Sequence, residues 1–362
     1  MKICLIGNGL TNLILAKKLI KKKIKIDLFY EQEEKPLNFN IRTIGISNDN
    51  FNFILKDIGK IKKISWPINQ IKIFNELNTN EEFIDFKYLK VPRFFVIKYK
   101  EILSLFEKSL KKEKNFRKFL IKKKNNLFSQ LKTKQYNLII NSDPNNELSR
   151  KYFFQKINKN YYSNAYVAII NHNNIKNNVA SQIFTKYGPI AFLPISNKQT
   201  SIVFSLSHKK NKNEIISLIK KYNTFYKIKF FSDIQNFKLN FSISRKYFYK
   251  NILCFGENLH KIHPVAGQGF NMILRDIKTL LCLIDEKNSL GLPIDTSVLN
   301  QFKEKRKHLN FIFAKGVDLI YELFRFDSNL GNIYSRDLIK FFSNKKYINK
   351  IASKFADKGL SI

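Results

Sequence analysis

A chain of 362 residues is long enough for two domains, or for one large discontinuous α/β body with a cap, and 44% hydrophobic content supplies a core. Its 65 Lys and Arg against 28 Asp and Glu give a formal net charge of +37. Lysine, however, is spread over nearly every segment and arginine is scarce, which argues against a specific nucleic-acid reader, because base and bidentate phosphate contacts favour the planar arginine fork. No run approaches the roughly 18 apolar residues of a spanning helix. The first residues enter a strand at once, leaving no room for a signal sequence, so the expected location is cytoplasmic. Cys4, Cys254 and Cys282 have no metal-ligand spacing, and two of them fall inside predicted strands as small apolar fillers.

In chain order, Lys2–Ile6 reads as a short buried strand broken by Gly7-Asn8-Gly9, after which Leu13, Ile14, Ala16 and Leu19 keep helical spacing. A second strand, Ile24–Tyr30, ends at Glu31. This is the layout of a dinucleotide turn: one Gly makes the turn, a second admits the pyrophosphate, and an acid meets the ribose hydroxyls. The third glycine position is occupied by Asn12, expected to weaken the helix–strand contact without abolishing it, so that Asn12→Gly should be tolerated. Residues 68–90 alternate as strands, a helix is predicted from about Lys100 to Leu110, and the lysine-dense run 108–126 reads as a solvated helix face and loop.

Tyr136–Ile140 is a short apolar strand ending at Asn141-Ser142-Asp143-Pro144, with Ser149 and Arg150 beyond. From 161 to 250 the pattern is mostly strand, with alternating runs at 165–170, 181–185, 190–195 and 200–206. The strand NILCF, 251–255, then gives way to GENLHKIHPVAGQGFNMILRD, 256–276, where Gly256, Gly267, Gly269 and Pro264 precede a helical pattern running through Ile284. A glycine turn between strand and helix presents free N–H groups and the positive helix end to an anionic or electron-rich ligand. His260 and His263 are three residues apart, with no third ligand in reach and no acidic partner of obvious spacing, so no metal site is expected. Residues 295–362 are helical by pattern. Within them 337–358 forms a basic amphipathic stretch suited to an anionic membrane surface.

The arrangement G-[DE]-x-x-H-x-x-x-P-x-x-G-Q-G-x-N in 256–276 resembles the second flavin-contacting motif of the aromatic-ring hydroxylases, class A FAD-dependent monooxygenases, and most closely the branch that hydroxylates ubiquinone precursors. The likeness runs along essentially the whole chain. Residues 42–60 are similar to the segment that sets an Arg, here Arg42, near the flavin. TKYGPIAFLPIS, 185–196, is similar to the sheet element flooring the substrate pocket. At 143–144 the family's Asp-Gly becomes Asp143-Pro144, removing one N–H. Arg245, Arg275 and Arg306 also fall in or near family-like segments.

The resemblance implies an α/β fold: a Rossmann-like FAD-binding domain of the glutathione-reductase type, an interleaved mostly-β substrate domain and C-terminal helices. The expected boundaries are 1–67, 92–160 and 250–290 for the FAD-binding domain, 68–91 and 161–249 for the substrate domain, and 291–362 for the helical region. It implies cofactor contacts from Gly7, Gly9, Glu31, Arg42, Gly256, Glu257, Pro264, Gly267, Gln268, Gly269 and Asn271, with Asp143 facing FAD or NAD(P)H. His260 is expected only to pack the flavin turn. No catalytic side chain is assigned, because the oxidising chemistry belongs to the cofactor. The implied activity is ring hydroxylation of a polyprenylated phenol or quinol with NAD(P)H and O2, at the membrane surface and beside other ubiquinone-biosynthesis proteins. Asn12 and Pro144 leave open a weak or inactive flavin-fold scaffold, and the pocket leaves open a same-fold oxidoreductase acting on another lipid or aromatic.

Overall fold

The computed structural model describes residues 1–31, 41–76, 84–87, 92, 94–121, 127, 131, 135–264 and 267–329. Among them, the strands β1 (Lys2–Ile6), β2 (Lys25–Glu31), β8 (Phe116–Ile121), β9 (Leu138–Asn141), β16 (Phe248–Tyr249) and β17 (Ile252–Cys254) form one sheet in the order β16-β17-β9-β1-β2-β8. Every pairing in it is parallel except β16 with β17. Parallel strands bury both faces, and Ile3, Cys4 and Leu5 of β1 are accordingly fully buried under α1 (Leu10–Lys21) and its neighbours.

The lysine-dense run does not behave as expected. After α3 (Tyr99–Leu110), residues 116–121 are not a solvated face or loop but the edge strand β8. Arg117 stands opposite Asp27 of β2 and donates to its carboxylate at 3.0 Å, Lys2 sits at 2.8 Å, and the Tyr136 hydroxyl donates at 2.7 Å. Burial pushes the Asp27 carboxyl up, but these three donors outweigh it and hold the group below its ordinary value. Phe119 stacks on Phe29 at 5.0 Å. The strand is fixed by a charge cage and one aromatic pair, so its apolar alternation is too thin to stand out among lysines.

A second sheet contains β5 (Gln70–Asn75), β6 (Ile84–Lys87), β10 (Lys156–His172), β11 (Val179–Thr185), β12 (Gly188–Ser196), β13 (Gln199–Leu206), β14 (Ile228–Phe231), β15 (Gln235–Ser244) and β18 (His260–Lys261). Its order is β18-β15-β10-β13-β12-β11-β5-β6, with β14 added to β10. All four alternating runs read from 165 to 206 lie in it. The period of two divides its faces. Ile183, Ile190, Phe192, Ile202 and Phe204 pack under α5 (Lys212–Tyr222) through Ile215, Ile219 and Tyr222. On the other face Phe184, Phe241 and Ile243 meet Phe313, Ala314, Val317 and Tyr321 of the long helix α7 (Thr296–Asn329). Beside that cover, Ile71, Leu193, Ile195 and Val203 remain half-buried and form an apolar floor.

Between the two sheets lies a small antiparallel one, β3 (Thr43–Ser47), β7 (Phe94–Lys98) and β4 (Ser65–Ile68) in the order β3-β7-β4. The remaining helices are α2 (Asn48–Leu55), α4 (Glu147–Tyr152) and α6 (Gln268–Ser289). The outward side of α7 leaves Ile312, Leu319, Ile320 and Leu323 exposed. The expected basic stretch 337–358 lies outside the described residues.

Candidate cofactor site

The first glycine turn sits where β1 stops between its two neighbours. Gly7 has φ 106° and donates its N–H to Phe29 O at 2.8 Å, while Ser142 N donates to Ile6 O at 3.0 Å. Strand order reverses here, with β2 on one side of β1 and β9 on the other, and such a switch point opens a crevice beyond the strand ends. Gly9 is the N-cap of α1 and supplies no capping side chain, and no acid stands in the helix's first turn. A methyl group placed on Gly9 would meet nothing within 4 Å. Asn8 Oδ1, buried beside it, has no hydrogen-bond partner among the described residues. The helix start is thus uncapped by any carboxylate and open to an anion. Glu31 lies at the end of β2, two residues past the Ile6–Phe29 register pair.

Asn12 corrects the expectation drawn from the missing third glycine. Its side chain is fully buried and Nδ2 donates to both Ile6 O and Gly7 O at 2.8 Å, so the amide stitches α1 to the turn and keeps clear of the space above Gly9. Asn12→Gly removes both bonds and puts glycine in a helix, and we expect a loss of about 2–3 kcal/mol in urea unfolding rather than tolerance. Unchanged stability would show that the two carbonyls find other donors.

The second glycine turn meets the first. Gly256, φ 59°, follows β17, and a methyl on it would lie 3.1 Å from Thr11 Cγ2 and 3.3 Å from Ser142 Cβ. Only glycine accepts that backbone and that approach. Glu257 faces Arg42 at 3.5 Å, the Arg42 guanidinium lies 4.9 Å above the Tyr99 ring, and the Tyr99 hydroxyl accepts Leu10 N–H at 3.5 Å. Arg42, Tyr99, Glu257 and the start of α1 therefore share one opening. Asp143 comes close to Gly7, whose methyl would be 3.2 Å from its Cβ. Its Oδ1 accepts Asn145 N–H at 2.8 Å, and its carbonyl accepts the Ser149 hydroxyl at 2.6 Å. Asn141, Asn146 and Asn258 complete this buried lattice.

The third part is the entry to α6. Gly267, φ 61°, donates its N–H to Pro264 O at 3.0 Å, and Gln268 begins the helix with no acid in the first turn. A methyl on Gly269 would rest at 3.6 Å from Ile262 Cγ1, ordinary contact. Asn271, expected to offer its amide to a ligand, instead uses it on the chain. Nδ2 donates to Gly45 O at 3.0 Å and Gly267 O at 3.1 Å, while Oδ1 accepts from Ser47 N at 2.9 Å and Asn50 Nδ2 at 3.0 Å. It clamps the α6 entry to β3.

His260 does have an acidic partner, sixteen residues on. Its Nε2 lies 2.6 Å from Asp276 Oδ2, Arg306 Nε donates to Asp276 Oδ1 at 2.6 Å, and Asn310 Nδ2 adds a bond at 3.1 Å. Burial raises the Asp276 carboxyl, but Arg306 and His260 outweigh it and hold the group at about 2. Asp276 interrupts the buried face of α6, and an acid at a core position of a helix was the available signal. Tyr99 carried none. Of the other arginines singled out, Arg275 is buried against Phe313 at 4.3 Å and Arg245 is exposed.

His263 stacks on Tyr321 at 4.0 Å and meets Tyr161 edge-on at 5.1 Å. Burial holds its imidazole down at about 3 against the ordinary 6.5, only partly opposed by Asp318. The folded chain keeps this ring neutral while the unfolded chain takes a proton below 6.5. Stability from it is complete above that pH and falls as pH drops from 6.5 toward 3, at about 1.4 kcal/mol per unit. His263→Phe keeps the stacking and should flatten the pH 7 to 5 stretch of the stability profile, read from urea midpoints. An unaltered profile would place the acid sensitivity elsewhere.

No protein-family profile matches the chain. It is 25% identical over 239 residues to the ubiquinone biosynthesis monooxygenase COQ6 of Danio rerio, covering 53% of this chain and 49% of that protein. It is 29% identical over 167 residues to the 3-demethoxyubiquinol 3-hydroxylase of Escherichia coli K12, covering 41% and 42%. The chain thus matches about half the length of these relatives or less. Among solved structures, p-nitrophenol 4-monooxygenase PnpA from Pseudomonas putida superposes with a TM-score of 0.78 at 9% identity, over 99% of this chain and 98% of that one. HpxO of Klebsiella pneumoniae complexed with FAD superposes at 0.72 and 10% identity, over 99% and 98%. The chain therefore has the α/β fold of the FAD-dependent monooxygenases and is related in sequence to the ubiquinone-biosynthesis hydroxylases.

Proposed function

We propose that this protein is a FAD-dependent monooxygenase that uses NAD(P)H and O2 to hydroxylate the ring of a polyprenylated phenol or quinol in ubiquinone biosynthesis. The observation that carries the reading is the convergence of the two glycine turns on α1, where Gly256 packs on Thr11 and Ser142 and the space above Gly9 stays open. The residues present fit the cofactor. The start of α1, which has no acid in its first turn and no side chain at its N-cap Gly9, suits a pyrophosphate, Glu31 suits ribose hydroxyls, and Arg42 and Glu257 flank the opening. Gly256, Pro264, Gly267, Gln268 and Gly269 would shape the wall against the flavin ring, Asn271 holding that wall in place. Asp143, beside Gly7, would orient the turn near FAD or the reductant. Bound FAD would supply the redox chemistry, accepting hydride from the nicotinamide and activating dioxygen.

Asn12 favours this reading over an inactive scaffold, because its Nδ2 is held by Ile6 O and Gly7 O and the space at Gly9 stays open. The half-buried floor of Ile71, Leu193, Ile195 and Val203 suits an apolar aromatic substrate. Reconstitution with FAD, followed by visible absorption and anaerobic reduction with NADH or NADPH, tests the cofactor. A protein that stays colourless at saturating FAD is the scaffold instead.

No helix among the described residues is long and apolar enough to cross a membrane. Peripheral docking at the inner-membrane surface, through residues 337–358 and the exposed stripe of α7, would bring the pocket to a polyprenyl substrate. Full-length protein should co-sediment with anionic liposomes and lose that affinity without residues 337–362. Equal recovery in the supernatant with anionic and neutral liposomes would instead require a partner from the same pathway to deliver substrate.

A further inference from the structure

Phe94 opens β7 and is 8% exposed. The tip of its ring comes so close to Gly45 in β3 that a methyl on Gly45 would overlap Cζ and Cε1. A methyl on Gly267, the left-handed residue at the α6 entry, would lie 3.5 Å from the same Cζ. On its other side Phe94 packs with Ile68, Val96 and Ala180, next to half-buried Ile71, Leu193 and Ile195. One aromatic ring therefore bridges from the α6 turn to the apolar floor, and on the turn side it is met by two glycines rather than by side chains.

Two features set this ring apart from ordinary core. The floor residues beside it are only half-buried, so the cluster ends at an open apolar surface. The space it borders is also bounded by Gly267, whose helix start is held to β3 by Asn271 through Gly45 O. A planar ligand lying on the floor and reaching the α6 turn must abut the Phe94 ring or displace it.

We infer that Phe94 is the wall that sets which aromatic ligands are seated between the apolar floor of β5, β12 and β13 and the α6 turn. This rests on the flavin reading above and adds a specificity-determining residue to it. The ligand class is an apolar phenol, with edge or face contact to Phe94 favouring a flat ring and the ring's bulk limiting substituents directed toward Gly45.

The test uses full-length, FAD-reconstituted protein titrated with phenol and with 2-geranylphenol, each followed by perturbation of the flavin absorption band. Phe94→Ala removes the wall, and the ratio of the two dissociation constants should shift at least tenfold in favour of 2-geranylphenol. Phe94→Leu keeps an apolar filler and should shift the ratio less, with thermal midpoints confirming that both variants are folded. Folded, flavin-loaded variants whose ratio stays within twofold of the parent would overturn the assignment and leave Phe94 as core. A parent protein that takes up no FAD would overturn it too, by removing the flavin reading on which it depends.

Discussion

Gly9→Glu should leave the protein folded and empty of FAD. Most glycines at ligand turns are poor test sites, because substitution strains the backbone and confounds lost binding with lost stability. Gly9 differs: its φ is −76°, within the range of any residue, and a Cβ there meets nothing within 4 Å. The new side chain would occupy the space over the α1 amides and place a negative charge where a pyrophosphate must sit, so flavin occupancy should fall at least a hundredfold, with little change in thermal midpoint of the apo-protein. Gly7→Ala supplies the contrast. With φ 106° and Ser142 Oγ 3.1 Å from the added methyl, it should lose stability with or without flavin. Full flavin content in Gly9→Glu, measured by absorbance ratio after desalting, would remove the pyrophosphate from this turn.

The largest loss of stability is expected from Asp276→Ala. Asp276 is completely buried, and its carboxylate joins His260, Arg306 and Asn310 while linking β18, α6 and α7. Taking it away leaves the Arg306 guanidinium, 8% exposed, with Asn310 Oδ1 but without its carboxylate, and breaking a buried pair in this way costs about 3–5 kcal/mol. Much of the variant should be insoluble at 37 °C. Replacing Asp276 and Arg306 together, as Asp276→Leu with Arg306→Met, should recover part of the loss, because no unpaired charge then remains. If the single variant unfolds in urea like the parent, the network contributes nothing net, and the double variant shows whether its parts cancel.

The first turn was legible because glycine, strand and helix signals fall within a few residues of one another, and the second because its motif is nearly complete. The strands of the large sheet were legible because one face is buried and one is not, which writes the period of two into the sequence. What escaped detection depends on distant partners. β8 is held by Arg117 and Phe119 against residues about ninety positions away. Asn271 reads as a ligand amide until Gly45, Ser47 and Asn50 are seen to use every group it has. Asn12 reads as a defect in a glycine pattern, and only the two carbonyls below it show that the side chain repairs the contact it was expected to weaken.

The order β16-β17-β9-β1-β2-β8 also bears on how the chain comes together during synthesis. β1, α1 and β2 emerge first and β8 soon after, but β9 has a free edge until Ile252–Cys254 leaves the ribosome, more than a hundred residues later. That edge is parallel, apolar and unprotected, the kind that recruits a neighbouring nascent chain. Closing it depends on the same residues that lead directly into Gly256. The step that ends the risk of aggregation is therefore the step that builds the second turn, and a chain interrupted before residue 250 should be sticky as well as lacking the turn proposed to hold FAD.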